Sequence, residues 1–229
     1  MSALDARLSL AAAFVREGAV FCDVGTDHAY LPIHLVARGR AVRALAADVR
    51  EGPLSAARAH IAEAGLSSKI ETVLTDGLVG LEDRGLTDIA VCGMGGELIA
   101  RILSDAPFVK NEAVRLILQP MTRPAALRRY LAENGFAVDG ERLCRASGRI
   151  YSCLCVHYTG KSYALSPARA EVGTPTLDGE ADRILFEELL ARRITAAEEK
   201  IRGLKEGGQS SEEEEEILRG LLQIQQEIR

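Results

Sequence analysis

The first 160 residues alternate between short apolar runs and amphipathic segments. The apolar runs are short, continuous and rich in aliphatic residues, as expected of strands buried on both faces of a sheet. They predict strands at residues 19–24, 44–49, 70–74, 88–92 and 115–119. Apolar residues at helical spacing predict helices at residues 4–17, 31–38, 52–64, 97–103 and 124–134. Strand alternating with helix predicts an α/β fold with a doubly wound parallel sheet.

The chain leaves this alternation after the fifth strand and its helix. Residues 138–145 and 150–158 both have the pattern of strands, and only a short turn separates them. Such a short connection requires antiparallel pairing. A parallel sheet that ends in an antiparallel hairpin resembles the class I, or Rossmann-like, methyltransferase fold. This likeness is one of fold, which by itself does not define a function.

The C-terminal part has a different pattern. Residues 161–180 contain prolines and glycines with little periodicity and predict a linker. Two apolar seams follow at steps of three and four residues, as in a coiled coil, and Ser211 with Glu214 predicts a capping box between them. We therefore expect an antiparallel helical hairpin over residues 186–229, and two domains, at residues 1–162 and 163–229. The seams are Leu190, Ile194, Ala197, Ile201 and Leu204, then Ile217, Leu221, Ile224 and Ile228.

Composition and charge narrow the class of protein. No apolar run approaches the roughly 20 residues of a membrane span, and Met1–Asp5 lack the pattern of a signal peptide. The net charge is −5, with +1 in residues 1–165 and −6 in residues 166–229, which argues against a non-specific nucleic-acid coat protein. Five cysteines without a CxxC pair predict reduced thiols in a cytoplasmic protein and no metal site.

The end of the first predicted strand carries the first candidate site. Ligands of open parallel sheets bind at the carboxyl ends of the strands, where the strand order reverses. A dinucleotide would require G-x-G-x-x-G here, but only Gly25 fits, since Asp27 and Tyr30 occupy the other two glycine positions. This argues against a nicotinamide dinucleotide. A cofactor without phosphates, such as S-adenosylmethionine, does not need that motif.

The next strand ends extend the site toward a nucleoside pocket. Asp48 follows the glycine turn by about 20 residues, the spacing of a carboxylate that accepts ribose hydroxyls; an exposed strand-end acid is the alternative. Asp76 ends the third strand, where it is placed to accept the amine of an adenine. Three glycines within residues 93–96 allow a close approach of the backbone to a ligand, or form an ordinary turn. Gln119 ends the fifth strand with an amide that both donates and accepts.

Five sequence segments at the predicted strand ends, taken together, resemble one family along the whole chain. They are Asp23-Val24-Gly25-Thr26-Asp27-His28-Ala29-Tyr30-Leu31-Pro32, Asp48 with Gly52-Pro53-Leu54, Thr75-Asp76-Gly77-Leu78, Gly93-Met94-Gly95-Gly96 and Gln119-Pro120. The chain is similar to the TrmK family, bacterial tRNA (adenine-N1)-methyltransferases that act on adenine 22 of the D-arm. The resemblance implies S-adenosylmethionine as cofactor, tRNA as substrate and a C-terminal helical hairpin.

Roles for single residues follow from the resemblance and from the strand-end positions. The expected acceptors near adenine N6 are Asp27 and Gln119, with His28 and Tyr30 shaping the pocket, so these four form the predicted catalytic set. The predicted cofactor-binding set is Asp23, Gly25, Thr26, Asp27, His28, Asp48, Val49, Asp76, Gly77, Gly93, Met94 and Gly95. The expected contacts with the RNA backbone are Arg123, Arg128, Arg129, Arg145 and Arg149.

Two other function classes compete with this interpretation. A degenerate methyltransferase fold that only binds a partner is disfavoured by the complete set of strand-end residues. A small-molecule methyltransferase is disfavoured by the hairpin, which a small substrate would not need. The expected assembly is a monomer without a membrane or metal partner.

Overall fold

The computed structural model describes residues 4–228 and contains one seven-stranded sheet flanked by helices. The strand order is β3-β2-β1-β4-β5-β7-β6. The strands are β1 (Ala19–Val24), β2 (Ala41–Asp48), β3 (Ile70–Leu74), β4 (Asp88–Gly95), β5 (Arg115–Thr122), β6 (Phe136–Ala146) and β7 (Arg149–Tyr158). The helices are α1 (Ala6–Phe14), α2 (Tyr30–Ala37), α3 (Glu51–Glu63), α4 (Gly96–Ser104), α5 (Pro124–Glu133), α6 (Pro167–Val172), α7 (Glu180–Glu206) and α8 (Glu212–Glu227).

The sheet topology confirms the predicted fold class. Strands β1 to β5 pair in parallel, whereas β7 is antiparallel to both β5 and β6. The order reverses at β1, which pairs with β2 on one side and with β4 on the other. The carboxyl ends of these three strands therefore meet at one edge, where such sheets bind ligands.

Alternate residues of the central strands face two separate apolar cores. Cys22 and Val24 of β1 lie in the core under α4 and α5, and Phe21 lies in the core under α1, α2 and α3. In β5, Leu116 faces the first core and Ile117 the second. Because helices cover both faces, these strands are apolar except near their carboxyl ends, where Asp23 and Gln119 lie.

The segment predicted as a linker is partly helical, which corrects the sequence interpretation. Ser166 caps α6 with its side chain, which accepts a hydrogen bond from the Arg169 backbone N–H. Three small or apolar side chains of α6 are buried, and α6 packs against α5 and α8. A helix of six residues is too short for an apolar period to be recognised, so its local signal is limited to the Ser166 cap and Pro167 in the first turn.

The C-terminal hairpin forms as predicted, but its first helix begins at Glu180 rather than at residue 186, and its cap differs. The apolar residues of α7 pack against those of α8, and together they form one cluster with Leu143 and Ile150 of the terminal strands. The expected capping box is wrong: Ser211 Oγ donates to the Glu215 carboxylate, and Glu214 instead pairs with Lys200 of α7. Arg229, the last residue of the predicted hairpin, lies outside the described residues. Residues 1–3, part of the stretch that lacks a signal-peptide pattern, also lie outside them.

The helices and the cysteines can be compared with the expectations from composition. No helix within residues 4–228 is long and apolar enough to cross a membrane. All five cysteines are free, and four of them are buried; Cys92 is partly exposed.

Candidate active site

Two cavities lie side by side at the carboxyl edge of the sheet. The first, of about 360 Å³, is formed by the ends of β1, β2, β3 and β4 with part of α4. The second, of about 390 Å³, is formed by the turn after β1 and the start of α1. Gly25, Cys92 and Gly93 line both cavities, so the two cavities are direct neighbours.

The first cavity combines a buried carboxylate with an exposed apolar surface. Asp48 ends β2, is buried, and accepts a hydrogen bond from the backbone N–H of Arg50 at 2.8 Å. Val49 next to it is 60% exposed, an unusual position for a valine, and lines the cavity as an apolar surface. Asp76 and Gly77 line the opposite wall. A carboxylate for hydroxyl groups beside an apolar surface for a ring matches a ribose with an attached base.

The glycine-rich end of β4 serves two purposes. Gly93 has a φ of +80°, and a Cβ there would meet no described atom within 4 Å, so it borders open space in both cavities. Gly96 instead allows α4 to pack, because a Cβ would lie 2.3 Å from the Arg123 carbonyl oxygen. Gly95, predicted to bind cofactor, lines neither cavity; its Cα faces Thr122. Met94 lines the first cavity.

Gln119 does not reach either cavity, which revises its predicted catalytic role. The side chain is 1% exposed. Its Oε1 accepts from the backbone N–H of Gly93 at 3.1 Å, and its Nε2 donates to the Pro120 carbonyl at 3.0 Å. Both ends of the amide are therefore occupied, and Gln119 holds the Gly93 backbone rather than a substrate.

Asp23 supplies a buried carboxyl to the second cavity. Burial raises its pKa to about 6; the Thr26 hydroxyl acts against this shift, and the nearby Asp48 carboxylate adds to it. A raised pKa means that the charged form is poorly stabilised by the protein alone. A cationic ligand group in this cavity would stabilise that form, so Asp23 favours a ligand that carries positive charge.

The turn between β1 and α2 presents polar atoms to the second cavity. His28 Nδ1 is buried without a hydrogen-bond partner among the described residues, and the Thr26 hydroxyl lies beside the Asp23 carboxyl. His28 Nε2 lies 3.4 Å from the Asp27 carboxylate, and Tyr30 is 41% exposed beside it. Buried polar atoms without partners are rare, and a ligand is one explanation for them. This turn therefore has the donors and acceptors of a binding site.

Sequence reasoning missed the residues that α1 and α3 bring to this turn. Asp5 caps α1 by accepting from the Leu8 N–H at 2.8 Å, and its carboxylate binds Arg7 at 2.6 Å; both residues line the second cavity. The Arg7 guanidinium also lies 5.8 Å from the centre of the Tyr151 ring. His60 of α3 stacks against Tyr30. An acid before the first helix signalled the cap, but nothing in the sequence indicated the helix orientation.

The arginines expected to contact RNA lie in different environments. Arg128 is buried and bound to Glu141, which removes it from any RNA-binding surface and corrects that prediction. Arg145 pairs with Glu188 of α7, and Arg129 lies 3.8 Å from Glu171. The exposed residues in this set are Arg123, which pairs with Glu97, Arg145 and Arg149.

Known proteins match both the sequence and the site-bearing fold. Residues 4–154 match the family described as a methyltransferase domain. The tRNA (adenine(22)-N(1))-methyltransferase of Bacillus subtilis is 34% identical over 151 residues, which cover 66% of this chain and 63% of that enzyme. In this alignment the chain therefore spans less than two thirds of its curated relative.

Solved structures extend the similarity through the C-terminal hairpin. A Streptococcus pneumoniae protein, proposed to be a tRNA (m1A22) methyltransferase and solved with S-adenosyl-L-methionine, superposes with a TM-score of 0.79 at 35% identity, covering 94% of this chain and 100% of that one. The Bacillus subtilis m1A22 tRNA methyltransferase TrmK superposes with a TM-score of 0.75 at 25% identity, covering 99% and 97%. The chain therefore belongs to the methyltransferase domain family and, within it, to the TrmK family.

Proposed function

We propose that this protein transfers a methyl group from S-adenosylmethionine to N1 of adenine 22 in tRNA. The observation that carries the proposal is the pair of adjacent cavities that share Gly25, Cys92 and Gly93 in their linings. One cavity has the carboxylate and apolar surface that a nucleoside needs, and the other offers His28 Nδ1, which has no described partner, and the exposed Tyr30 ring to a second group. The relatives from Bacillus subtilis and Streptococcus pneumoniae support the same reaction.

The residues present fit the cofactor. Asp48 is the candidate acceptor for the ribose hydroxyls, and Val49 with Asp76 and Gly77 forms the candidate surface for adenine. Asp23, with its raised pKa, is the candidate partner of the cationic part of the molecule. When bound, S-adenosylmethionine supplies a methyl group on a sulfonium ion, which is a strong electrophile.

The chain's own residues then have a limited chemical task. Adenine N1 carries a lone pair in the ring plane, so no residue needs to remove a proton before N1 attacks the methyl carbon. Positive charge spreads over N1 and N6 as the bond forms. Asp27 is the candidate acceptor that stabilises this charge and receives the N6 proton afterwards. Because N1 lies on the pairing edge, the adenine must leave its base pair, and Tyr30 is the exposed ring available for stacking.

The assay that tests the function uses the full chain with labelled S-adenosylmethionine. We expect methylation of bulk bacterial tRNA, with 1-methyladenosine as the labelled nucleoside after digestion. A tRNA transcript that carries guanine at position 22 is the matched control and should remain unlabelled. Label in another nucleoside, or equal label in the control transcript, would contradict the proposal.

Replacing Asp48 should weaken cofactor binding without unfolding the protein. Asp48→Asn keeps the size of the side chain but removes the charge that strengthens hydrogen bonds to hydroxyl groups. The loss of such bonds, about 1.5–3 kcal/mol, corresponds to about 10- to 100-fold in Kd. Calorimetric titration with S-adenosylhomocysteine measures this change, and the unfolding midpoint checks the fold. An unchanged Kd would show that Asp48 does not contact the ribose.

We infer that the protein acts as a monomer in the cytoplasm, where its tRNA substrate is found. Both cavities are formed by residues of a single chain, so a second copy is not needed to complete either one. Sedimentation of the purified protein with and without tRNA tests the assembly: a single chain per tRNA is expected, and two chains per tRNA would contradict this inference.

A further inference from the structure

His60 lies in the last turn of α3 and lines neither cavity, yet it contacts the turn that forms the second one. Its Nδ1 is 3.2 Å from the carbonyl oxygen of His28. Its ring is stacked on Tyr30, with centroids 5.5 Å apart and planes inclined by 18°, and lies 5.2 Å from the His28 ring. One side chain thus touches both residues that shape the presumed adenine pocket.

The turn that His60 contacts has a backbone conformation that needs support. Ala29, between His28 and Tyr30, has a φ of +54°, in the left-handed region that residues with a Cβ avoid. Its side chain is fully buried, and its carbonyl oxygen accepts the first hydrogen bond of α2, from Ile33. The free-energy cost of this conformation must be offset by contacts of the surrounding structure. His60 supplies such contacts on both sides of Ala29.

We propose that His60 is a positioning residue for methyl transfer, which acts through the His28 carbonyl oxygen and the Tyr30 ring. A carbonyl oxygen only accepts, so Nδ1 of His60 must carry a proton and donate. This hydrogen bond and the ring contact fix the direction of His28 Nδ1, which is buried and without a described partner, and of the exposed Tyr30 ring. The proposal rests on the proposed function, because it assigns the turn to the substrate.

The location of His60 predicts that its replacement changes kcat rather than cofactor affinity. The turn at His28 and Tyr30 lines the second cavity, whereas the nucleoside cavity has no residue from it except the shared Gly25. Loss of the hydrogen bond should therefore lower kcat and leave the affinity for S-adenosylhomocysteine within about twofold. A small displacement of a positioned group is sufficient to slow a reaction, and we expect a decrease of about 5- to 10-fold in kcat.

Three variants separate positioning from a merely structural role. His60→Phe keeps a ring for Tyr30 but removes the donor, whereas His60→Asn keeps a donor at the position of Nδ1 and should recover much of the lost kcat. His34→Asn, on α2 and outside both cavities, is the matched control with unchanged kcat. The unfolding midpoint of each variant is measured alongside. Wild-type kcat in His60→Phe, or equal losses in the Phe and Asn variants, would overturn the proposal.

A spectroscopic test does not depend on the reaction. Nitrogen-15 spectra of histidine-labelled protein should show His60 with Nδ1 protonated, assigned by its loss in His60→Asn. A neutral His60 ring protonated only on Nε2 would overturn the proposal, since it has no proton for the His28 carbonyl. If the wild-type protein fails to methylate tRNA, the proposed function fails, and this spectrum still decides whether His60 holds the turn.

Discussion

Asp27→Ala should lower the rate of methyl transfer by about 100-fold or more, the usual loss when one group that stabilises transition-state charge is removed. The Asp27 side chain is 77% exposed in the second cavity and does not line the nucleoside cavity. Its carboxylate is therefore free to accept a hydrogen bond from adenine N6, where positive charge develops. Single-turnover methylation of tRNA, with cofactor at saturation, measures this rate.

A second measurement distinguishes catalysis from cofactor binding for Asp27. We expect the Kd for S-adenosylhomocysteine to change by less than about threefold, which is below about 1 kcal/mol, because Asp27 does not line the nucleoside cavity. Asp105→Ala, an exposed acid outside both cavities, is the control and should leave the rate unchanged. If affinity for the product falls in parallel with the rate, Asp27 is a cofactor ligand. If the rate is unchanged, Asp27 has no part in the reaction.

The strands were predictable because their apolar runs are buried on both sides. Strand β3 matches the predicted residues 70–74. Strand β4 was predicted to end at Cys92 but continues to Gly95, since Met94 and Gly95 pair with Pro120 and Thr122 of β5. Glycine has a low preference for strands, so this extension depends on the neighbouring strand and is not visible in the local sequence.

The strand-end part of the site was predictable from the topology of a parallel sheet. In a parallel sheet the carboxyl ends lie together, so Asp23, Asp48 and Asp76 had to be near one edge. Residues from helices were not predictable in this way. Arg7 and His60 reach the second cavity or its turn only because α1 and α3 pack in particular orientations, and Gln119 points inward to Gly93. The residues in these contacts are far apart in the sequence, so no local pattern indicates that they meet.

Glu141→Gln should lower the free energy of unfolding by about 3–5 kcal/mol, the cost of leaving a buried charge without its partner. The side chains of Arg128 and Glu141 are 5% and 1% exposed. Arg128 also donates to the Ala170 carbonyl at 2.8 Å and to Ser152 Oγ at 3.1 Å, and Glu141 accepts from the Thr174 N–H at 3.1 Å. This network fastens α6 and the following residues, and through them the hairpin, to the sheet.

Urea denaturation of Glu141→Gln and three further variants tests the network and the reassignment of Arg128. Arg145→Gln, which breaks the exposed pair with Glu188, should cost less than about 1 kcal/mol and serves as the control. Arg128→Met should destabilise the protein as Glu141→Gln does, and the double variant Arg128→Met/Glu141→Leu should recover part of the loss, because no buried charge remains. If Arg128→Met instead keeps wild-type stability and loses affinity for tRNA, then Arg128 contacts RNA and the structural role assigned to it is wrong.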